Sequence, residues 1–296
     1  MAAHRPTGLI VAIAFAATVH GSLLRAKPPP VEELRPITPW NVDWAEKTCV
    51  MRRGFGDQAN PLILQIERFA PGDRFQLLLT GKRLRGFAPP QRLSLEYGVG
   101  GYVHTIEGYM VGETKGGFAT VFISSSAIRG LTEGEPESFV PVTPEQEAAV
   151  GQISFYRIRG KKIVLKTGSL GPVFVAMRKC ADQLVESWGL NPLQQSRLTR
   201  PATPKSNPGS WLKPSDYPAG ALFAGAQAIV NFRVTVDETG MPVACELQRS
   251  YSGEMFDRIT CQQIVRRARF DPALDADGKP VRSYYTNTVR WVMEGD

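Results

Sequence analysis

The chain has 296 residues, 43% of them apolar, and a formal charge of +7. That length holds two domains of ordinary size, and the apolar share excludes a disordered chain. From Trp211 onward ten Lys/Arg face eleven Asp/Glu, so the last part of the chain lacks the basic face that a nucleic-acid binder uses on phosphates.

Residues 1–26 read as a targeting or anchoring segment. Arg5 supplies a positive start, Gly8 to Val19 is an unbroken run of small or apolar residues, and His20, Gly21 and Ser22 follow. As a secretory signal peptide, cleavage after Gly21 or Ala26 suits the small-residue rule. As a single N-terminal inner-membrane anchor, Thr7 to Leu24 is about long enough to span. Both readings put the remainder outside the cytoplasm. Lys27-Pro28-Pro29-Pro30 then opens an extended Pro-rich linker over 27–39.

Residues 40–190 read as a mostly-β domain, sandwich or barrel-like, closed by a helix. Cys49 lies in a predicted strand. Leu62 to Phe69, Phe75 to Leu79, Leu93 to Tyr97, Tyr102 to Met110, Phe118 to Ile123, Ile153 to Ile158 and Ile163 to Lys166 are short β-like runs separated by Gly and Pro. Thr143-Pro144 marks a helix start, with Thr143 as the cap. A longer helix opens at Gly171-Pro172, carries Val173, Ala176, Cys180, Leu184 and Trp188 near one face, and ends at Gly189. Residues 191–215 hold five prolines and no acidic residue, and read as a Pro-rich basic linker: a solvated spacer, with contact to an anionic surface as the functional alternative.

Residues 216–296 carry a ββαβ pattern, which makes the whole chain α+β. Val230, Phe232, Val234 and Val236 alternate with Asn231, Arg233 and Thr235. Asp237-Glu238-Thr239-Gly240 is a turn, and Val243, Cys245 and Leu247 face inward on the next strand. Phe256 to Ala268 is helical, with Arg266, Arg267 and Arg269 crowding its last turn, where they complement the helix dipole. After a turn at Asp277-Gly278, Ser283 to Val292 is a long final strand rich in Tyr, Thr, Val and Trp.

Four cysteines allow three pairings, and sequence alone does not choose among them. Cys245 shares a face with Val243 and Leu247, and Cys261 a stripe with Ile264, Val265 and Ala268, so both point between sheet and helix. This favours Cys245–Cys261 and leaves Cys49–Cys180; four buried free thiols are the alternative. No His lies near any of the four and no CxxC is present, which argues against zinc, and neither a metal nor a cofactor is expected. Enzyme signals are poor. His104 sits in a predicted strand with Glu107 nearby, as a core or surface residue rather than a catalytic one. Gly98-Val99-Gly100-Gly101 lacks the strand-to-helix setting of a phosphate loop.

The order Tyr217-Pro218-Ala219, the Val230-to-Val236 strand with Asp237 and Gly240, Ser250, Met255-Phe256-Asp257, Arg269-Phe270-Asp271-Pro272-Ala273, Gly278-Lys279-Pro280-Val281 and a final β-rich run resembles the C-terminal domain of the TonB family. Such proteins are energy transducers in Gram-negative bacteria, non-enzymatic, coupling inner-membrane motor proteins to outer-membrane receptors for transmembrane transport. The resemblance implies that the last strand is an edge that pairs with an extended receptor segment. By position that edge is Ser283, Tyr284, Tyr285, Thr286, Asn287, Thr288, Val289, Arg290, Trp291 and Val292, with Tyr217 and Pro218 upstream of the sheet. A globular domain stands where the family has its long spacer. The alternative to a TonB-like transport link is therefore a secreted periplasmic structural or adaptor protein without energy transduction.

Overall fold

The structure, a computed structural model, describes residues 30–44, 46–87, 92–98, 101, 103–106, 108–129, 142–157, 160–251 and 254–293. The targeting segment 1–26, the prolines Pro28 and Pro29, and Val99, Gly100, Tyr102 and Glu107 lie outside the described residues. Among the described residues no helix is long and apolar enough to cross a membrane.

The first part of the chain forms two sheets around one core. One sheet orders β1 (Val31–Leu34), β11 (Lys162–Leu165), β10 (Ile153–Arg157), β6 (Leu93–Tyr97) and β7 (Val103–Ile106). The other orders β2 (Asn41–Trp44), β3 (Cys49–Asp57), β4 (Asn60–Arg68), β5 (Phe75–Thr80), β9 (Ala119–Ser126) and β8 (Met110–Glu113). Period-two alternation sends Leu62, Leu64 and Ile66 of β4 and Leu77 and Leu79 of β5 into a cluster with Leu95, Phe155 and Phe174. Between β9 and β10, Thr143 and Gln146 form a capping box at the start of α1 (Pro144–Ala149). Then α2 (Gly171–Ser187) supplies Val173, Phe174, Met177 and Leu184 to the core, and Gly189, at φ +74°, ends the helix turn.

Two expectations need correction in this part. The stretch expected as linker over 27–39 holds β1, which runs parallel to β11 from Val31↔Lys162 to Leu34↔Leu165; the buried Leu34 anchors it. The single strand expected from Tyr102 to Met110 is two, β7 in one sheet and β8 in the other. They separate at Gly108-Tyr109, where the Tyr109 ring is buried in the core.

The last part is a three-stranded antiparallel sheet in the order β14 (Pro242–Ser250), β13 (Ala228–Val236), β18 (Ser283–Trp291), with α5 (Glu254–Arg267) on one face. Short pieces complete the chain: α3 (Pro192–Ser196), β12 (Thr203–Pro204), α4 (Ala219–Phe223), β15 (Phe270–Asp271), β16 (Ala273–Leu274) and β17 (Pro280–Val281). Phe232, Val234 and Val236 meet Ile264, Ala268 and Phe270 in one cluster; Val230, Phe256 and Trp291 meet in a second. Val243 and Val265, expected inside, are exposed. Val243 lies near the open start of β14, and Phe256 and Thr260 fill the buried side of α5 instead.

Disulfides join Cys49 to Cys180 and Cys245 to Cys261, tying β3 to α2 and β14 to α5. Closing the 16-residue separation of the second is worth about 3 kcal/mol in the chain-entropy model.

Residues 191–215 do not form a solvated spacer. Asn191 caps α3 by accepting from the Gln194 N–H at 3.0 Å, and the Thr199 N–H bonds the Leu274 carbonyl at 2.9 Å. β12 then pairs with β15. Trp211 is buried against Phe270 and Tyr285, with ring centroids 5.6 and 5.7 Å away. Prolines fit here because a short edge strand and turn starts need few N–H donors. Leu198, Ala202 and Trp211 supply the apolar grip that composition alone hides.

Candidate strand-binding cleft

The second face of the β14-β13-β18 sheet is buried as well. Asn231, Arg233 and Thr235, on the face opposite the apolar stripe, are at most 4% exposed. Trp188 at the end of α2 packs on this face, with the Arg233 guanidinium 4.7 Å over its ring and Tyr284 edge-on to it at 4.9 Å. Arg233 also pairs with Glu246 at 2.9 Å. Farther along, Gln76 of β5 donates to Asn231 at 2.6 Å and to Thr288 at 3.1 Å. At the β14 side, the buried Glu67 carboxylate of β4 accepts from Arg249 Nε, from the Tyr251 hydroxyl at 3.1 Å and from Gln65 at 3.2 Å. Burial first, and then the Glu67 charge, pushes the Tyr251 phenol up, which keeps it a donor. The N-terminal sheets thus dock on the polar face of the C-terminal sheet through hydrogen bonds and ion pairs.

The direction of each backbone group on β18 follows from its neighbours. The Ile229 carbonyl accepts from the Tyr251 N–H and the Asp237 N–H bonds the Met241 carbonyl, both at 3.0 Å, so odd-numbered residues of β13 face β14. Even-numbered residues therefore face β18. The register Val230↔Val289, Phe232↔Asn287, Val234↔Tyr285 gives those ladder bonds to Ser283, Tyr285, Asn287, Val289 and Trp291. The N–H and C=O groups of Tyr284, Thr286, Thr288 and Arg290 point away from β13. Among the described residues no strand pairs with that side. The Thr288 N–H is held instead by the Asn287 side-chain oxygen at 2.7 Å, a local plug on the edge.

This edge opens into a cleft of about 1180 Å³. One wall is the N-terminal loop Phe69–Gln76 with Ser124 and Ser125; the other is the folded 201–208 stretch; Tyr284 to Thr288 run along it. Two orphaned polar atoms line it: Gln76 Oε1 and Asn231 Nδ2 are buried without a hydrogen-bond partner among the described residues. Turning both carboxamides over exchanges the orphans without removing them.

The other residues named for the edge fall as follows. Ser283 is buried and donates to Gln195 at 2.6 Å. Tyr285 and Val289 pack toward α5, and Tyr285 also takes a hydrogen bond from Asn287 at 2.7 Å. Burial, with the Asp182 charge, pushes the Tyr284 phenol up to about 12. Arg290 lies against Gly108, where an added Cβ would stand 2.7 Å from its Nη1. Trp291 is in the core, its indole N–H on Thr260 at 3.0 Å. Val292 lies beyond the strand and is exposed. Tyr217 stands apart from the cleft: its ring meets Phe256 and Trp291, its hydroxyl bonds the Ala226 carbonyl at 2.5 Å, and Pro218 caps α4. The sequence does not reveal either wall of the cleft; the lone Trp211 in a Pro-rich run is the available signal that 191–215 is folded.

His104 is buried beside Tyr97, and burial pulls its pKa down. Among the described residues no group of three or more His, Cys, Asp or Glu is placed to hold a metal ion. A search of curated proteins finds no match to the chain. Residues 213–293, a little over a quarter of the chain, match the family model described as Gram-negative bacterial TonB protein C-terminal, and this segment, with its open β18 edge, is a TonB C-terminal domain.

Proposed function

We propose that this is a periplasm-facing, non-enzymatic envelope protein that binds a partner by pairing an extended segment with the free edge of β18. One observation carries the reading: the outward backbone groups of Tyr284, Thr286, Thr288 and Arg290 border an open cleft within the TonB C-terminal domain. Main-chain pairing of this kind gives affinity with little demand on sequence. An outer-membrane receptor segment is the partner that the family implies.

The test is the affinity of extended receptor-type peptides for two proline variants. Thr286→Pro removes an outward N–H and no β13 bond, and edges tolerate proline there. A net backbone hydrogen bond is worth about 1 kcal/mol, so binding weakens about fivefold or more. Exposed Val292→Pro, outside the strand, serves as the control. Unchanged affinity in Thr286→Pro refutes edge pairing.

A second reading, an adaptor without energy transduction, is favoured by the folding of 191–215 onto the domain, which removes the spacer expected there. Intact mass of protein purified from envelopes separates the two. Loss of the first 21 to 26 residues would exclude direct coupling to inner-membrane motor proteins.

A further inference from the structure

Each residue of β18 that offers its peptide group outward also sends its side chain to one face. Along a strand the direction of the peptide groups and the direction of the side chains both alternate, so the two are locked together. Tyr284, Thr286, Thr288 and Arg290 carry the outward groups, about 7 Å apart, and their side chains share the face of Asn231, Arg233 and Thr235. The N-terminal unit, the two sheets with α1 and α2, docks on that face. Tyr285 and Val289 do the opposite: their peptide groups bond β13 and their side chains pack toward α5.

The N-terminal unit holds three of the four outward residues, each from a different element. Tyr284 stands edge-on to Trp188 with ring centroids 4.9 Å apart, inside the range of a favourable aromatic pair. Trp188 is itself set by α2, which Phe174, Met177 and Leu184 seat in the core and the Cys49–Cys180 disulfide ties to β3. Thr288 accepts from Gln76 of β5 at 3.1 Å and donates to Asn231 at 2.6 Å. Arg290 lies against Gly108, between β7 and β8, where the missing side chain leaves the room: an added Cβ would stand 2.7 Å from Nη1. Gln76 also stands opposite Glu67 in the β4–β5 register. The hairpin that bonds Arg249 of β14 through Glu67 therefore bonds β18 through Gln76, and grips both outer strands of the C-terminal sheet.

A strand bonded on one side only has to be ordered before a partner can pair with it, and binding carries that ordering cost unless it is met beforehand. We infer that the N-terminal unit is a clamp for the docking edge. Trp188 and Gln76 are its positioning residues, holding the outward peptide groups of β18 in line for an incoming extended segment. The inference rests on strand pairing at β18 and adds what the N-terminal unit does for it.

The experiment measures the affinity of the full chain for a peptide of alternating Thr and Val. Trp188→Leu and Gln76→Met should each weaken binding about threefold, and together about tenfold. Trp188→Phe, which keeps a ring for Tyr284, should stay within about twofold of wild type. Gly108→Ala, at an exposed position, pushes the Arg290 head aside without touching the core and should weaken binding about two- to threefold. Amide exchange supplies a readout that general destabilisation does not imitate. In the Trp188→Leu, Gln76→Met double variant the Tyr285, Asn287 and Val289 amides, bonded to β13, should lose protection, while the Asn231 and Thr235 amides, bonded to β14, keep theirs. Unchanged affinity in that double variant, with binding still weakened by Thr286→Pro, would leave strand pairing intact and overturn the clamp. Equal loss of protection in both sets of amides would also overturn it, because the contacts would then serve the fold as a whole. Failure of the peptide to bind the wild type would overturn the clamp and strand pairing together.

Discussion

Replacing Glu67 by Gln tests how firmly the two parts of the molecule are docked. The Glu67 side chain is 2% exposed and accepts from Arg249, Tyr251 and Gln65; Arg249 in turn donates to Thr48 at 3.1 Å. Gln keeps the shape but loses the charge, and it presents an NH2 group to donors. A hydrogen bond to a charged group is worth about 1.5–3 kcal/mol against about 1 for a neutral one, and a broken buried pair costs about 3–5. The Arg249 side chain is 29% exposed, so water repays part of its loss. The expected cost is therefore about 2–3 kcal/mol in urea unfolding. A double-mutant cycle with Arg249→Met isolates the pair, with an expected coupling of about 1.5 kcal/mol. Because the Phe69–Gln76 wall follows Glu67 directly, peptide affinity should fall in the same variant. A coupling below about 0.5 kcal/mol would refute this account of the interface and place the pair among weak surface contacts.

Gly240→Ala should destabilise the fold by about 3 kcal/mol or more, read as a lower unfolding midpoint: the residue sits at φ +86°, and an added Cβ would lie 2.0 Å from the Phe270 carbonyl oxygen. Its failure to do so would mean that the turn and β15 are not held together. Arg267, bonded to both Asp216 oxygens at 2.5 and 3.0 Å, holds the Asp216 carboxyl below its ordinary 3.8. A depressed folded-state value stabilises above pH 3.8 and is lost as pH falls below it toward the folded value, so the stability gap between wild type and Asp216→Asn should be full at pH 7 and shrink below pH 3.8. A gap independent of pH would remove the ion pair as its cause. Asn287→Ala removes the plug on the Thr288 N–H and should tighten peptide binding about two- to fivefold, as measured by titration calorimetry; weaker binding would mean that Asn287 contacts the partner instead.

Much of the C-terminal fold is legible because each element obeys a short period. Val230 to Val236 alternates, Phe256 to Ala268 turns, and Gly240 marks the turn between the first two strands. The disulfide partners share the stripes that periodicity assigns them. What is not legible is tertiary. Asn231, Arg233 and Thr235 are polar yet buried: Gln76, far away in sequence, donates to Asn231, Trp188 lies under the Arg233 guanidinium, and Arg233 donates to Thr235. Pro-rich composition hides β1 and the 191–215 wrap, whose only apolar anchors are single residues such as Leu34 and Trp211. The edge of β18 could be placed from the family resemblance, whereas the cleft around it needed three separate stretches brought together.

Amide hydrogen exchange along β18, with and without a bound extended peptide, tests strand pairing most directly. The account predicts that the Tyr284, Thr286 and Arg290 amides exchange fast in the free protein and become protected on binding, while the Tyr285, Asn287 and Val289 amides, already bonded to β13, change little. Protection that appears elsewhere on the chain and leaves those three amides fast would contradict it.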